Sequence, residues 1–350
     1  MKVLITGITG QDGAYLAHYL YGLGNEVHGF VRRSSSDSLA RLREIFKVTN
    51  DYDLKSKVTL HPGDLSDDLS IINTISTIQP DRLYNLAAQS NVSGSFDNPL
   101  YTADITAIGA LRIHEAIRIL GLKDKTRVYQ AGTSELYGAV LETPQSEKTP
   151  FNPVSPYAVA KQYAFWITKA YRNAYGFFSA NGILFNHESP FRGSDFVTKK
   201  ICRDLVLVSN GLSNRLELGN LYAKRDWGHA FEYVQMQHLI IEHKVPDDFV
   251  IATGRSATVE EFLLMAAERI GLEIKLDQLD ERKHCDILKK GKFVGTLELK
   301  GSLHRPAEVD TLLGDISKAR KELGWEPKIG LEQLVDEMVG YEHGNGLRWR

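Results

Sequence analysis

Cysteine is scarce. The 350-residue chain holds two, Cys202 and Cys285, and neither stands in CxxC spacing. That argues against a disulfide framework and against a zinc site, and it fits a reducing compartment. A cytoplasmic location is therefore expected. Excess charge of one sign is also lacking: 42 Lys and Arg meet 44 Asp and Glu, a net charge of −2. No electrostatic footprint for nucleic acid or an anionic membrane follows. No apolar run approaches the ~20 residues that a membrane-crossing helix needs. The chain opens MKVLITG and runs straight into a strand, with no apolar leader. Internal repeats and low-complexity tracts are missing too. What remains, 43% hydrophobic and 25% charged residues, is the make-up of a soluble globular protein.

The first half has a rhythm. Short apolar runs, KVLIT (2–6), EVHGFV (26–31), KVTLH (57–61), DRLYNLAA (81–88) and RVYQA (127–131), read as strands. Between them lie helical patterns such as AYLAHYLYGLG (14–24), LSIINTISTI (69–78) and ADITAIGALRIHEAIRIL (103–120). Strands separated by helices of this length predict βαβ units, hence an α/β fold with a Rossmann-type doubly wound parallel sheet. A further strand is expected over ANGILFN (180–186). Beyond it the rhythm breaks into loops such as NHESPFRGSD and GNLYAKRDWGHA. DDFVIATG (247–254) still reads as a strand and TVEEFLLMAAERIG (258–271) as a helix. The expected division is a dinucleotide-binding domain over 1–180 and a smaller α/β substrate domain over 181–350. Some segments of the second are expected to return to the first sheet. HGNGLRWR, at the end, reads as a loose tail.

After the first strand comes GITGQDG, with Gly7, Gly10 and Gly13 around Thr9, Gln11 and Asp12. Glycines here let the backbone approach a pyrophosphate, and the next helix offers its N-terminal N–H groups to the anion. The spacing is GxxGxxG, not the GxGxxG of the common fingerprint, so a ligand-free tight turn is the competing reading. The strand before and the helix after favour phosphate. The second strand runs into VRRSSS, with no acid before Asp37. Arg32, Arg33 and Ser34 there suit the 2′-phosphate of NADP better than the free ribose of NAD. Asp64 and Leu65, in GDL after the third strand, are candidates for the adenine side. Leu86, Ala87, Ala88, Gln89 and Ser90, after the fourth, are candidates for the nicotinamide ribose side.

SPYAVAKQYA places Tyr157 and Lys161 four residues apart, on one face of a helix. A free tyrosine, with a pKa of about 10, is a poor base at neutral pH. A neighbouring ammonium and an oxidised nicotinamide would both favour the phenolate. Tyr157 is then a base for a hydroxyl proton during hydride transfer. YxxxK alone is weak; behind a glycine-rich turn and five alternating strands it is strong. Upstream, GTSELYG ends the fifth strand with Thr133 and Glu135. A carboxylate there is either solvated or a base.

These motifs together resemble the extended short-chain dehydrogenase/reductases. GITGQDG, VRRSSS, GTSELYG, SPYAVAK, NGILFNHESP, AKRDWGHA, DFVIATG and RPAEVD, spread from residue 7 to residue 310, resemble the GDP-mannose 4,6-dehydratase family among them. The resemblance implies a sugar oxidised at C4, water eliminated across C5 and C6, and the same hydride returned to C6. It implies that Thr133 bonds the C4 oxygen, Tyr157 takes its proton, and Lys161 holds the nicotinamide ribose. Glu135 matches the family's base for C5 and acid for the C6 hydroxyl. His187, Arg192 and Tyr101 match positions on the NADP side. Ser90, Asn186 and Val197 match positions on the substrate side. Lys200 and Arg225 are candidates for the diphosphate, since paired cations suit phosphate oxygens. Arg305 and Glu308, in RPAEVD, match positions near guanosine. The cofactor is expected to be a tightly held NADP, the partner a GDP-sugar such as GDP-mannose, and the assembly a homotetramer bridged by the arginine-rich turn. No metal is expected: His187 has no second ligand at metal-binding spacing.

Some positions depart from the family pattern. Phe191 stands where arginine is usual, Tyr222 where a small polar or acidic residue is usual, and Asn91 where histidine is common. Ser93 and Gly94 lie in a segment that is often bulkier. The changes near 91–95 and at 191 are expected beside segments that flank the sugar, with Gly94 offering room beyond C6. A GDP-linked heptose of manno configuration is therefore a second candidate substrate. Other members of the superfamily, a 4-epimerase or a 4-keto-6-deoxyhexose reductase, need no C5 base, and Glu135 argues against both. A non-enzymatic NADP sensor would not need the Tyr/Lys pair.

Overall fold

The computed structural model describes residues 1–279, 283–303, 309 and 311–345. Its strands are β1 (Lys2–Thr6), β2 (Glu26–Val31), β3 (Val58–Pro62), β4 (Arg82–Asn85), β5 (Arg127–Ala131), β6 (Ser179–Leu184), β7 (Asn186–Glu188), β8 (Arg215–Leu218), β9 (Lys224–Arg225), β10 (Trp227–His229), β11 (Asp248–Ile251), β12 (Ala257–Thr258), β13 (Leu272–Ile274), β14 (His284–Lys289) and β15 (Lys292–Leu299). Its helices are α1 (Gln11–Gly22), α2 (Ala40–Ile45), α3 (Asp51–Lys55), α4 (Asp68–Ile78), α5 (Val92–Asp97), α6 (Pro99–Thr102), α7 (Gly109–Ile119), α8 (Pro156–Tyr175), α9 (Val197–Ser209), α10 (Ala230–Glu242), α11 (Val259–Arg269), α12 (Ser317–Leu323) and α13 (Leu331–Asn345).

The first strand shows why the main sheet is covered on both sides. Successive side chains of a strand point to opposite faces. Val3 and Ile5 enter one core with Leu16 and Leu20 of α1 and Val234 and Ile240 of α10. Leu4, between them, enters a second with Ile71 and Ile75 of α4 and Ile113 and Ile117 of α7. A strand buried on both faces needs an unbroken apolar run, which KVLIT supplies. Seven strands pair in the order β11-β6-β5-β4-β1-β2-β3. Every pair is parallel. The order reverses between β1 and β4, where doubly wound sheets open a crevice at their carboxyl ends. Two segments from beyond residue 181 return here: α10 packs on α1, and β11 forms the edge beside β6.

Three expected strands stop early in the fold. DRLYNLAA stops at Asn85, ANGILFN at Leu184 and DDFVIATG at Ile251. After β4, the N–H groups of Leu86 and Ala87 both donate to Thr6 Oγ1, at 3.1 Å each. That side-chain acceptor replaces the ladder and turns the chain toward the crevice. The expected helix over 103–120 begins as a wider π-type turn, Ala103–Ile108, before α7.

The second core is assembled from α9, α11, α13 and a small sheet ordered β13-β14-β15-β8. Ile201, Leu205, Phe262, Leu297 and Val335 meet in it. Two short pairs, β10 with β7 and β12 with β9, connect it to the main sheet's exit. The tail expected over HGNGLRWR is helical through Asn345, because α13 buries Met338, Val339 and Glu342 on this core side; residues 346–350 lie outside the described residues.

Candidate active site

The glycine turn is a backbone cradle. Gly7 sits at φ +69°, the left-handed region that glycine tolerates. A Cβ on it would lie 2.8 Å from the Ala87 nitrogen. A Cβ on Gly13 would lie 2.3 Å from the Gly7 oxygen. The turn closes with Gly10 N–H donating to Gly7 O at 2.9 Å, and no side chain caps α1. The N-terminal N–H groups of α1 are thus left for an anion. This cradle lines a cavity of about 210 Å³ with Leu86, Ala88, Ser90, Thr133, Glu135, Tyr157, Lys161, His187 and Arg192. The set of donors and glycines fits a dinucleotide.

Thr133, Glu135, Tyr157 and Lys161 are brought together by β5 and α8. Thr133 Oγ1 accepts from Glu135 N–H at 3.2 Å, which holds the short turn after β5. Ser155 caps α8 by accepting from Ala158 N–H at 3.1 Å, and Pro156 opens the helix. Tyr157 therefore lies in the first turn, on the same cavity as Thr133. All four side chains are buried. Lys161 Nζ donates to Ala131 O at 2.8 Å and lies 6.0 Å from the Tyr157 ring centre.

Burial pushes Tyr157 up to about 12, and the Thr133 hydrogen bond and Arg192 act against it. Burial likewise lowers Lys161 to about 8, against the pull of Asp12. Desolvation disfavours both charged forms in the protein alone.

The fold also joins residues that no local pattern could connect. His187 donates from Nδ1 to Phe185 O at 2.7 Å and from Nε2 to Asp12 Oδ2 at 2.8 Å. Burial alone would lower the His187 pKa; the Asp12 carboxylate reverses that and raises it. Asp12 is lowered despite burial, chiefly by the His187 charge. Gln237 of α10 donates to the same Asp12 oxygen at 3.2 Å, and Gln11 Nε2 donates to His187 O at 3.1 Å. The glycine turn and NHESP are thereby fastened together.

Other predicted cofactor residues lie outside the 210 Å³ cavity. Arg32, Arg33 and Ser34 are exposed beyond β2, and Arg32 Nη1 donates to Tyr101 OH at 2.7 Å, joining two of them. Asp64 Oδ1 accepts from Ser66 N–H at 3.0 Å and Ser66 Oγ at 2.9 Å. Leu65 turns its side chain into the core beside Ile71 and Ile113. Ala87 backs Gly7, Gln89 takes Thr106 Oγ1 as its backbone acceptor at 3.2 Å, and the Thr9 carbonyl accepts from Arg41.

A second cavity, about 330 Å³, continues from the first; Val92, Asn186 and Phe196 line both. Its walls carry Val197, Lys200 and Arg225 as expected, and also Asn91, Ser93 and Glu188. Asn186 Oδ1 is buried with no hydrogen-bond partner in the protein, at the junction of the two. Glu188 was not singled out from the sequence, although NHESP contains it. Two departures fall elsewhere than expected. Gly94 lines neither cavity; a Cβ on it would face Gln89 Nε2 at 3.1 Å. Phe191 packs between Tyr15 and Tyr341, with ring centres 5.6 and 5.5 Å away, because the chain turns outward after Pro190. Tyr222 is exposed. Arg305 and Glu308 lie outside the described residues. Among the described residues no group of three His, Cys, Asp or Glu could hold a metal ion, and no helix is long and apolar enough to cross a membrane.

Known proteins share both the fold and the sequence. The solved structure of dTDP-glucose 4,6-dehydratase from Bacillus anthracis superposes with a TM-score of 0.76 at 20% identity, covering 100% of this chain and 98% of that one. UDP-glucose 4-epimerase from Thermus thermophilus gives 0.77 at 22%, covering 98% and 99%. These likenesses establish the fold. The sequence comparisons are narrower. GDP-mannose 4,6-dehydratase from Yersinia enterocolitica is 50% identical over 348 residues, 97% of this chain and 92% of that protein. The human GDP-mannose 4,6 dehydratase is 47% identical over 336 residues, 96% and 90%. The family model for GDP-mannose 4,6 dehydratase matches residues 4–338. With the glycine cradle, the Tyr157–Lys161 pair and Glu135 on one cavity, the chain belongs to the GDP-mannose 4,6-dehydratase family of hydro-lyases.

Proposed function

We propose that the two cavities hold NADP and a GDP-sugar, and that the residues at their junction convert GDP-mannose to GDP-4-keto-6-deoxymannose. The observation that carries this is the presence of Glu135 in the cavity of Tyr157, Thr133 and Lys161. A hydride-transfer enzyme uses the last three; only elimination also calls for a buried carboxylate. NADP would be held by the glycine cradle, Lys161, His187 and Arg192, with Arg32, Arg33 and Ser34 for its 2′-phosphate. When bound, it supplies the redox chemistry, accepting a hydride from C4 and giving it back at C6. Thr133 orients the C4 hydroxyl, and Tyr157 takes its proton. The 4-keto group acidifies C5–H, whose proton Glu135 removes. The C6 oxygen leaves as water, taking that proton from Glu135. The proton removed from O4 balances the one that C5 regains, so both residues end as they began.

Lys200 and Arg225 would hold the diphosphate and Asn186 the sugar. Arg305 and Glu308 belong to the same reading by position in the sequence. It divides the chain into a cofactor part, 1–180, and a substrate part, 181–350, with 230–251 returning to the first sheet. A homotetramer is part of it, supported by an exposed stripe on α8 (Val159, Tyr163 and Trp166) at helical spacing and by the exposed arginine-rich turn. So is a cytoplasmic location, supported by the two buried cysteines, which form no disulfide.

Incubation with GDP-mannose and no added reductant tests the reading. A 4-keto-6-deoxy product with no net change in NADPH absorbance is expected. Product formed only with stoichiometric NADPH consumption, or a C4 epimer, would overturn it. Asn91 and Ser93 on the second cavity favour a second reading with a larger sugar. Turnover of a GDP-linked manno-heptose in the same assay, compared with GDP-mannose, decides between them.

A further inference from the structure

Among the described residues' buried carboxylates that the mechanism leaves unused, Glu188 alone lines either of the two cavities. Glu188 ends β7, is 2% exposed, and lines the sugar-nucleotide cavity. Its Oε2 lies 3.1 Å from Arg192 Nε and accepts from Thr198 Oγ1 at 2.5 Å. The two partners serve different cavities. Arg192 lines the dinucleotide cavity, and its guanidinium also stacks on Phe196, 3.6 Å from the ring centre. Thr198 lies in the first turn of α9, next to Val197 and two residues before Lys200. One carboxylate oxygen therefore fastens a cation of the cofactor side to the helix that presents the diphosphate cation.

We propose that Glu188 is a positioning residue that couples the two sites: by holding Arg192 and Thr198 on one oxygen, it makes occupancy of each cavity favour occupancy of the other. The physical reason is the cost of a buried charge. A buried carboxylate must keep its charged and hydroxyl partners, so a shift of either pulls on the other. When phosphate oxygens draw Lys200 and the first turn of α9 into place, Thr198 steadies Glu188, which steadies Arg192. Coupling of this kind is reciprocal in binding free energy. The inference rests on the proposed assignment of the cavities to a dinucleotide and a nucleoside diphosphate.

The test is NADPH binding, followed by fluorescence titration of cofactor-stripped protein, with and without saturating GDP. In the parent protein GDP should tighten NADPH, by about tenfold for coupling of usual size. Glu188→Gln, which keeps the shape and loses the charge, should weaken NADPH by about tenfold and reduce the GDP effect to less than twofold. Thr198→Val should leave NADPH affinity without GDP within about twofold but abolish the GDP effect. Thr198→Ser, which retains the hydroxyl, should restore it. A Glu188→Gln protein with parental affinity and a parental GDP effect overturns the proposal while leaving the proposed function intact. So does a Thr198→Ser protein that behaves as Thr198→Val, even where Glu188→Gln fails to fold. A parent protein that binds neither NADPH nor GDP overturns both.

Discussion

The two cavities that meet at Asn186 are built by different means. The dinucleotide side is made of backbone: strand ends of one parallel sheet, a glycine turn with no room for Cβ atoms, and the start of α1. The sugar-nucleotide side is made of side chains, with Lys200, Arg225 and Glu188 projecting from short strands and from α9. A backbone site is fixed by topology and tolerates little change in the residues that form it. A side-chain site can be retuned one residue at a time. The departures at Asn91 and Ser93 fall on the second kind of surface, while GITGQDG and YxxxK are intact on the first.

The residues proposed as catalytic line the first cavity, and the largest effect is expected there. Glu135→Gln should slow dehydration on the order of a thousandfold, within the usual range for loss of a general base. Exchange of the C4 hydrogen with the cofactor should persist in that variant, read by deuterium transfer from C4-labelled GDP-mannose. Dehydration at the parental rate would remove Glu135 from the mechanism. Gly13→Ala comes next and attacks the backbone site. Its Cβ would lie 2.3 Å from the Gly7 oxygen, a contact that flexible side chains cannot relieve. A cost of about 3 kcal/mol is expected, the upper part of the usual overpacking range. The measurement is cofactor released on denaturation, which should fall to near zero.

The cofactor half should also be the acid-sensitive one. His114, on α7, is fully buried; its Nδ1 faces Ala110 O at 2.8 Å and its Nε2 faces Ser179 Oγ at 3.2 Å. Burial holds its pKa down to about 4, against 6.5 for an ordinary histidine. Below 6.5 the unfolded chain takes a proton that the folded one refuses until about 4. Stability must therefore fall as the pH drops through this window, by about 3 kcal/mol in all. Thermal melts between pH 7 and pH 4 should show it, and His114→Gln should flatten the slope. Lys200→Ala tests the other half. It should raise the KM for GDP-mannose about tenfold, as for one charge-assisted contact, and leave NADPH affinity in the absence of GDP or a GDP-sugar unchanged.

The same contrast explains what could be read from the sequence. GITGQDG, the strand rhythm and the Tyr157–Lys161 spacing are local signals, and the sheet and the catalytic wall follow from them. The small sheet of the second core was not legible, because β8, β14 and β15 bury only two residues each and give no sustained apolar run. The Asp12–His187 bond joins residues 175 positions apart, and Glu188 has a role only once α9 is placed. The burial that raises the Tyr157 pKa was not legible either, because spacing carries no information about desolvation. Phe191 was expected beside the sugar, yet its ring packs between Tyr15 and Tyr341, a contact between distant segments that its sequence position does not reveal.

Gly94 gives the smallest effect and the sharpest check on that last point. Sequence position put it beside the sugar; the fold puts it within α5, facing Gln89. A Cβ there would meet Gln89 Nε2 at 3.1 Å and the Asn91 side chain at 3.6 Å. The nearest atom is the end of a flexible amide, which can move a few tenths of an ångström. Alanine in place of glycine within a helix gains about 0.5–1 kcal/mol from reduced backbone freedom. Gly94→Ala should therefore leave the melting temperature unchanged or slightly raised. Because neither cavity is lined by Gly94, the ratio of kcat/KM for GDP-mannose to that for a GDP-linked manno-heptose should not move. A large change in that ratio, with an unchanged melting temperature, would mean that the sugar reaches α5 and that room beyond C6 is set by Gly94 after all.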